Sequence, residues 1–520
     1  MTTLEMEVDN WKALPWKNFQ KTVFRLQTRI FKAQKNGDRK LVTKLQKLLL
    51  NSKAAKYLAV RQVTQLNQGK ATAGVDGKTA LNCKERMQLA ETLQTGWKKW
   101  EHRKLRRVLI PKKDGTKRKL GIPTIGDRAY QCLLKYALEP AAEATFSGNS
   151  YGFRPGRGTH DVQKRLFSAL SSRANGITKR IQEMDIEKCF DRISHKTILE
   201  KTELPKIALK GLRLAIKAGV KGEYPSSTEG TPQGGVISPL LANIALNGIE
   251  DCFSSKDITC LRYADDLVFI MKPNACEYRL EYETNNFLKE RGLKAQAAKT
   301  RIVKATDGFD FLGWNFKVKP NGKFISTPSK DNTKKVKAKI KETMKDSRFT
   351  LEQRIAKCGS IVRGWRNYHR FGDMSKHNLW AQNHWTWKFI RKQGRYKQEG
   401  TNKVMSKAFP SVSCKAYSHN NVTGDKSPFD NDLTYWAKRN NKNYSGINAS
   451  LLKNQKHKCA DCGLTFLSGD KVELHHVDGN HDNWKKLNLV MLHRYCHQHQ
   501  PIHGEAHVAR NSQKGRVGID

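Results

Sequence analysis

The chain has 520 residues, room for several domains with cores of their own, and it sets 96 Lys+Arg against 48 Asp+Glu for a formal net charge of +48. An excess that large strains a compact fold by self-repulsion unless a polyanion neutralises it, so nucleic acid is the expected partner. The charge is spread along the whole chain rather than gathered on an amphipathic helix beside Trp or Leu anchors, which argues against a membrane surface. No apolar run approaches transmembrane length, and Met1-Thr2-Thr3-Leu4-Glu5 lacks the basic-then-apolar layout of a secretory signal. Eleven Cys, an odd number and mostly scattered, argue against a disulfide scaffold.

In chain order, residues 20–50 read as one or two helices. Val23, Leu26, Ile30 and Ala33 fall on one face and Leu41, Leu45, Leu48 and Leu49 on another, with a break near Gly37 and Asp38. Two strands, Arg107 to Pro111 and Lys119 to Pro123, flank a turn at Lys113-Asp114-Gly115. Helical pattern resumes from Asp127 to Ala144, and Arg180 to Ile186 and Leu261 to Met271 are strand-like. Strands and helices are mixed rather than strictly alternating, which predicts an α+β fold. Residues 330–400 read as helical, rich in Lys and Arg. Residues 400–450 hold many Asn, Ser, Lys and Gly with little periodicity, the composition of a loosely folded or linker-like module. Residues 451–510 form a short Cys/His-rich unit.

Phosphoryl transfer by two Mg²⁺ about 3.5–4 Å apart needs carboxylates converging from different segments, because Mg²⁺ takes hard oxygen ligands. Tyr263-Ala264-Asp265-Asp266 lies between apolar runs and reads as a β-hairpin with two carboxylates at its tip. Asp185 ends a second strand, in Met184-Asp185-Ile186-Glu187-Lys188-Cys189-Phe190-Asp191. Either group alone is also what a polar turn looks like.

The flanking blocks carry a resemblance. Ile110 to Leu120, Ser150-Tyr151-Gly152-Phe153-Arg154-Pro155-Gly156-Arg157, Gly230 to Ile244, Gly292-Leu293 with Lys299-Thr300, Phe309 to Trp314, and Arg363-Gly364-Trp365-Arg366-Asn367-Tyr368-His369 stand in one order. Together with the Asp motifs they resemble the group II intron-encoded reverse transcriptase/maturase family over essentially the whole chain. The resemblance implies a right-hand polymerase, with fingers and palm over 1–325, a helical thumb or maturase domain over 326–400, a DNA-binding region or linker over 401–450, and a C-terminal unit over 451–520. It implies that Asp185, Asp265 and Asp266 hold the two Mg²⁺, with the Ile186 carbonyl able to ligate the second. Lys112 and Arg118 would meet the triphosphate of the incoming dNTP. Phe190 would be an aromatic gate against the ribose 2′-hydroxyl, and Gln233 would touch the nucleotide. For these residues the plain alternatives are hairpin charges, a core Phe and a polar loop residue. In the thumb, Arg363, Trp365, Tyr368 and His369 would belong to the RNA-binding surface, although most of the region's Trp are expected in helix cores.

In the last unit, Cys459-Ala460-Asp461-Cys462 and His493-Arg494-Tyr495-Cys496 are two pairs at the same spacing. Cys459, Cys462, His493 and Cys496 make a structural Zn²⁺ set, with His493 where the family usually has Cys. Between them lie Glu473-Leu474-His475-His476-Val477-Asp478 and Asn488, followed by His497. This pattern resembles the HNH ββα-metal nuclease. The match implies that His475 and His497 hold a divalent metal, that His476 is the general base, and that Asn488 holds the loop; a zinc-stabilised DNA-binding knuckle is the alternative.

The implied whole is a mobile-element ribonucleoprotein. It would bind its intron RNA and promote splicing, nick one target-DNA strand with the HNH unit, and copy the RNA from the exposed 3′ end. The implied setting is the bacterial cytoplasm, at the nucleoid, or an organellar matrix, without a membrane. A domesticated, RNA-binding-only maturase and a reverse transcriptase of a defence or CRISPR-adaptation system are the rivals. The intact Asp set and HNH residues count against the first, and the thumb motif joined to an HNH tail counts against the second.

Overall fold

The computed structural model describes residues 10–111, 115, 117–222, 229–253, 257–296, 300–374, 385–392, 409, 414–444, 446–466, 470, 472–480 and 482–498. It is a mixed helix and strand fold. None of its described helices is long and apolar enough to cross a membrane.

Two helices open the described chain, Trp16–Lys35 and Arg39–Asn51. The break falls at Gly37, left-handed at φ 73°, and at Asp38, whose carboxylate accepts from the Leu41 N–H at 2.9 Å and caps the second helix. The phase of the second helix differs from the leucine pattern. Leu41 and Leu48 are exposed, whereas Val42, Leu45, Leu49 and Leu50 are buried. The core stripe runs i, i+3, i+7 from Val42, so the valine sets the face that the leucines alone misassign.

These helices pack on Ile125–Glu143, a helix buried on almost every side. Its opposite flank takes the helix Lys206–Ile216 so closely that a Cβ on Gly211 would run into the Tyr130 hydroxyl. The strands β1 (Arg106–Pro111) and β2 (Lys117–Ile122) form an antiparallel hairpin in which Ile110 faces Arg118.

The central sheet has the order β4-β5-β3-β6, with β3 at Arg180–Asp185, β4 at Ile258–Tyr263, β5 at Asp266–Met271 and β6 at Arg301–Lys304. Both of its faces are covered, so the strand Leu267–Met271 reads as an unbroken apolar run. Leu267, Phe269 and Met271 join the core shared with the N-terminal helices, while Val268 and Ile270 join a second core. That second core also holds the helix Thr159–Leu170 and a three-stranded sheet of β7 (Phe309–Phe311), β8 (Trp314–Val318) and β9 (Phe324–Pro328).

Helices Lys330–Lys345 and Leu351–His369 then pair, with Val336, Ile340, Ile355, Cys358 and Val362 between them, and Ile390 from the helical residues 385–392 closes that core. Residues 414–444 are better ordered than their composition indicates. Tyr417 stacks on Phe167 at 4.5 Å and 10°, and the Tyr417 carbonyl accepts from Lys164 Nζ at 2.6 Å. Buried Asp161 lies 3.1 Å from His419 Nε2, and accepts from the Val422 N–H at 3.1 Å and from Arg439 at 2.8 Å. Asp425 pairs with Lys35, and Phe429 packs with Phe31 and Ala144. The buried Asp161 cluster, the surface Lys35–Asp425 pair and aromatic contacts, rather than periodic apolar residues, fasten this segment to the body. The last unit pairs β10 (Val472–His476) with β11 (Leu489–His493), followed by the short helix Arg494–Gln498.

Candidate active site and metal centre

The Asp residues sit where three strand ends meet. Asp185 is the last residue of β3 and faces Asp266, the first residue of β5, as the terminal register pair of that ladder. Asp266 also faces Tyr263 across β4, leaving Ala264 and Asp265 as the two-residue turn. Ala264 takes a left-handed conformation, φ 59°, that the tight turn requires. The three carboxylates thus stand at one edge of the sheet. Burial, and after it the neighbouring Asp185, push the Asp265 carboxyl above its ordinary range, while Arg118 and Arg262 pull it back. Asp265 therefore lies within electrostatic reach both of Asp185 and of the β1–β2 hairpin. Cys189, buried beneath, feels Asp265 and Asp185 as well, after burial itself, and its thiol is pushed well up.

The ladder also orients a backbone oxygen. The Glu187 N–H donates to Lys294 O at 2.9 Å and the Gln296 N–H donates to Asp185 O at 2.8 Å, so Asp185 turns its carbonyl toward the Ala295 side. Alternation along the chain then turns the Ile186 carbonyl to the opposite side, the side of the Asp hairpin. Hard carboxylate and carbonyl oxygens gather at this edge, donors that suit Mg²⁺.

Around this edge stand other expected residues. Gln233 Nε2 donates to Asp191 Oδ1 at 3.2 Å, and Gln233 O accepts from the Gly121 N–H at 3.0 Å, so the loop of Gln233 docks the base of the β1–β2 hairpin. Phe190 is half-buried, with its ring edge-to-face on Phe153 at 6.3 Å and 84°. Arg118 is exposed on β2. Lys112 lies outside the described residues.

Two supports escaped sequence reasoning. Arg262 and Glu250 form an ion pair with both side chains fully buried, Nε to Oε1 at 2.6 Å. Arg262 also donates to Asn243 Oδ1 at 2.8 Å and to the Ala264 carbonyl at 3.2 Å, while Asn243 donates to Gly152 O at 2.8 Å. This network grips the turn from behind. The available signal was an Arg directly before Tyr263-Ala264-Asp265-Asp266, inside an otherwise apolar strand.

In the thumb-like helix, Arg363 is exposed. The other three candidates make contacts within the fold. Tyr368 stacks on Trp314 at 4.5 Å and donates to Leu312 O at 2.7 Å. Trp365 donates to Asn332 Oδ1 at 2.6 Å, and His369, with no exposed surface, lies 3.2 Å from the same oxygen. Interleaved aromatics here lock the helix onto the β7–β9 sheet.

In the C-terminal unit, one ligand atom from each of Cys459, Cys462, His493 and Cys496 lies within 4.8 Å of the others, a set able to hold a metal ion. His493 faces Cys462 Sγ through Nδ1 at 3.3 Å and Asp470 through Nε2 at 3.3 Å. A carboxylate behind a ligating imidazole fixes its orientation, and Asp470 is a partner that spacing alone did not reveal. His475 and His497 come together, ring centroids 5.1 Å apart, and His497 Nδ1 lies 2.8 Å from Glu473 Oε2. Strand alternation puts His475 and Glu473 on one face and His476 on the other, where its buried ring meets Trp484 at 5.2 Å. Asn488 donates to Asp478 Oδ1 at 2.8 Å and to Asn483 O at 2.9 Å, and accepts from the Asp478 N–H at 3.0 Å, closing the loop between β10 and β11.

A family model for reverse transcriptase (RNA-dependent DNA polymerase) matches residues 110–316, one for the N-terminal domain of reverse transcriptase matches 11–93, and one for the group II intron maturase-specific domain matches 333–409. Maturase-like protein 1 of Euglena gracilis is 32% identical over 370 residues, which cover 71% of this chain and 79% of that protein. Protein YkfC of Escherichia coli (strain K12) is 31% identical over 316 residues, 52% of this chain and 82% of that one. Group II intron-encoded protein LtrA of Lactococcus lactis subsp. cremoris is 33% identical over 229 residues, 42% of this chain and 36% of its own length. Among solved structures, telomerase from Candida albicans aligns over 61% of this chain and 64% of that chain, at 14% identity and a TM-score of 0.34.

Proposed function

This chain belongs to the group II intron reverse transcriptase/maturase family, and we propose that it is an RNA-directed DNA polymerase and intron-splicing maturase whose C-terminal unit is an HNH nuclease. The observation that carries the polymerase reading is the convergence of Asp185, Asp265 and Asp266 on one sheet edge. These three would hold two Mg²⁺, which when bound activate the primer 3′-hydroxyl and steady the leaving oxygen. Arg118, together with Lys112, meets the triphosphate charge of the dNTP. The Ile186 carbonyl completes the oxygen set, Gln233 touches the nucleotide, and Phe190 stands against its 2′ position.

Fingers and palm occupy 1–325 and the thumb or maturase domain 326–400. Arg363 and the basic faces of the thumb helices bind the intron RNA as a ribonucleoprotein, while Trp365, Tyr368 and His369 hold that surface in shape. Residues 401–450 contribute to target-DNA binding. In the unit over 451–520, Cys459, Cys462, His493 and Cys496 hold a structural Zn²⁺. His475 and His497 hold a divalent cation, His476 is the base, and Asn488 fixes the loop. The nick provides the 3′ end from which the intron RNA is copied for mobility, in the bacterial cytoplasm or an organellar matrix.

The test is Asp265→Asn, which removes ligand charge without altering the basic surface. Primer extension on an RNA template should be abolished while RNA affinity is unchanged. Extension at a near wild-type rate would remove the assignment.

A further inference from the structure

Phe153 is in a conformation that a bulky side chain avoids. Its φ is 58°, in the left-handed region, and the residue is 52% exposed. Backbone strain combined with an exposed aromatic is expensive twice over, and such residues gather at functional sites, where the surroundings impose them.

Here the surroundings are explicit. The preceding Gly152 presses on the Asp-bearing turn, and a Cβ there would run into the backbone N of Ala264. The Gly152 carbonyl is held by Asn243 Nδ2 at 2.8 Å. On the other side, Arg154 is clamped by Glu143 at 2.9 and 3.0 Å and by the carbonyls of Ser147 and Ser150. Between these two held residues Phe153 takes the left-handed conformation with its side chain exposed. Its ring lies edge-to-face on Phe190, at 6.3 Å and 84°.

We propose that Phe153 is a specificity-determining residue of the polymerase site, forming with Phe190 a two-ring wall against which the sugar of the incoming nucleotide is measured. The inference rests on the reading of Phe190 as the 2′-hydroxyl gate and deepens it. Phe190 is half-buried, so part of its surface faces the site. Phe153 is the aromatic ring in contact with it among the described residues. An edge-to-face neighbour narrows the rotamers open to Phe190, and a gate discriminates only as well as its position is fixed.

The test compares single-nucleotide incorporation of a dNTP and the matching rNTP, as a ratio of kcat/KM, in the full-length protein. Phe153→Gly removes the ring while suiting the left-handed backbone, so the fold is relieved rather than strained. The expected result is a selectivity for deoxyribose reduced about three- to tenfold, what one edge-to-face ring contact is worth. The melting temperature should not fall and the Kd for primer–template should not change, and Phe153→Tyr, which keeps the ring, should restore the ratio. Phe190→Val is measured alongside. If it relaxes selectivity and Phe153→Gly does not, the two-ring wall is overturned and the gate stands. If neither variant changes the ratio, both are overturned. A weakened primer–template Kd in Phe153→Gly with an unchanged ratio also overturns it, and makes the ring a duplex contact.

Discussion

Arg262 and Glu250 meet at 2.6 Å with no exposed side-chain surface on either, directly behind the turn that carries Asp265. Removing one partner of such a pair leaves a bare charge in the interior. Glu250→Ala should therefore destabilise the chain by about 3–5 kcal/mol. It should also slow synthesis at temperatures where the protein is still folded, because Arg262 would swing from the Ala264 carbonyl. Denaturant melts and primer extension on one preparation check both. A loss below about 1 kcal/mol would mean that water reaches the pair.

His160 and His369 give the body an acid limit. Burial, followed in order by a Tyr368 carbonyl contact that opposes it and the like charges of His419 and Arg370, holds His160 down at about 4. Burial and then His160 hold His369 at about 3. A histidine whose folded value lies below its unfolded value leaves the unfolded state binding more protons in between. Stability is thus full above the ordinary value of 6.5 and falls as the pH drops from there toward 4. Each ring adds a slope approaching about 1.4 kcal/mol per pH unit inside that window. Melting temperature followed from pH 7 to 5 should fall, and His369→Gln should flatten the fall. An unchanged slope in that variant would show that His369 is hydrated.

Asp470 backs His493 at 3.3 Å. Losing such an outer partner typically costs about 10–100-fold in metal affinity. If the set holds the proposed zinc, Asp470→Asn should surrender it to a colorimetric chelator at correspondingly lower chelator concentration, with primer extension unaltered. Equal retention in variant and wild type would show that the three thiolates alone set the affinity.

What could be read from the sequence was local. The Asp265-Asp266 turn, the strand ending in Asp185 and the two Cys/His pairs of the candidate metal centre each declare themselves within a few residues, by spacing and apolar flanks. The supports did not, because they join residues far apart. Asp161 and Arg439 are separated by 278 positions, and only the fold brings them together. Aromatics were ambiguous for a different reason. Tyr368 interleaved with charge looks the same whether it stacks on a base or, as here, on Trp314. Phe153 was visible within its block, but its strained backbone follows from Gly152 and Arg154 being held on either side, a tertiary fact.

The separability of the Asp edge from the proposed nuclease site is the prediction with most at stake. The C-terminal unit has its own small cores, Leu451, Leu452, Leu489 and Met491 in one and Cys459, Leu492 and Cys496 in the other. The Asp edge belongs to other cores, across Leu267 and Val268. His476→Ala removes the proposed base and leaves the Cys459, Cys462, His493 and Cys496 set and the His475–His497 pair untouched, so the unit should still fold. That variant should lose cleavage of one strand of a target duplex, keep primer extension and splicing, and still copy RNA from a pre-nicked target. Because strand alternation turns His476 away from His475, a parallel Glu473→Gln variant is informative: Glu473 shares the face of His475 and contacts His497 at 2.8 Å. Cleavage that survives in His476→Ala but disappears in Glu473→Gln would move the base, or the support of the metal ligand, to the carboxylate. Cleavage unchanged in both would leave a zinc-stabilised DNA-binding knuckle. Loss of cleavage and extension together would mean that the unit is coupled to the palm, and the route for that coupling is already visible: Trp436 packs on Gly156, and Arg157 donates to Gly424 O at 2.6 Å, joining the segment before the unit to the loop that ends in Phe153 and the Asp turn.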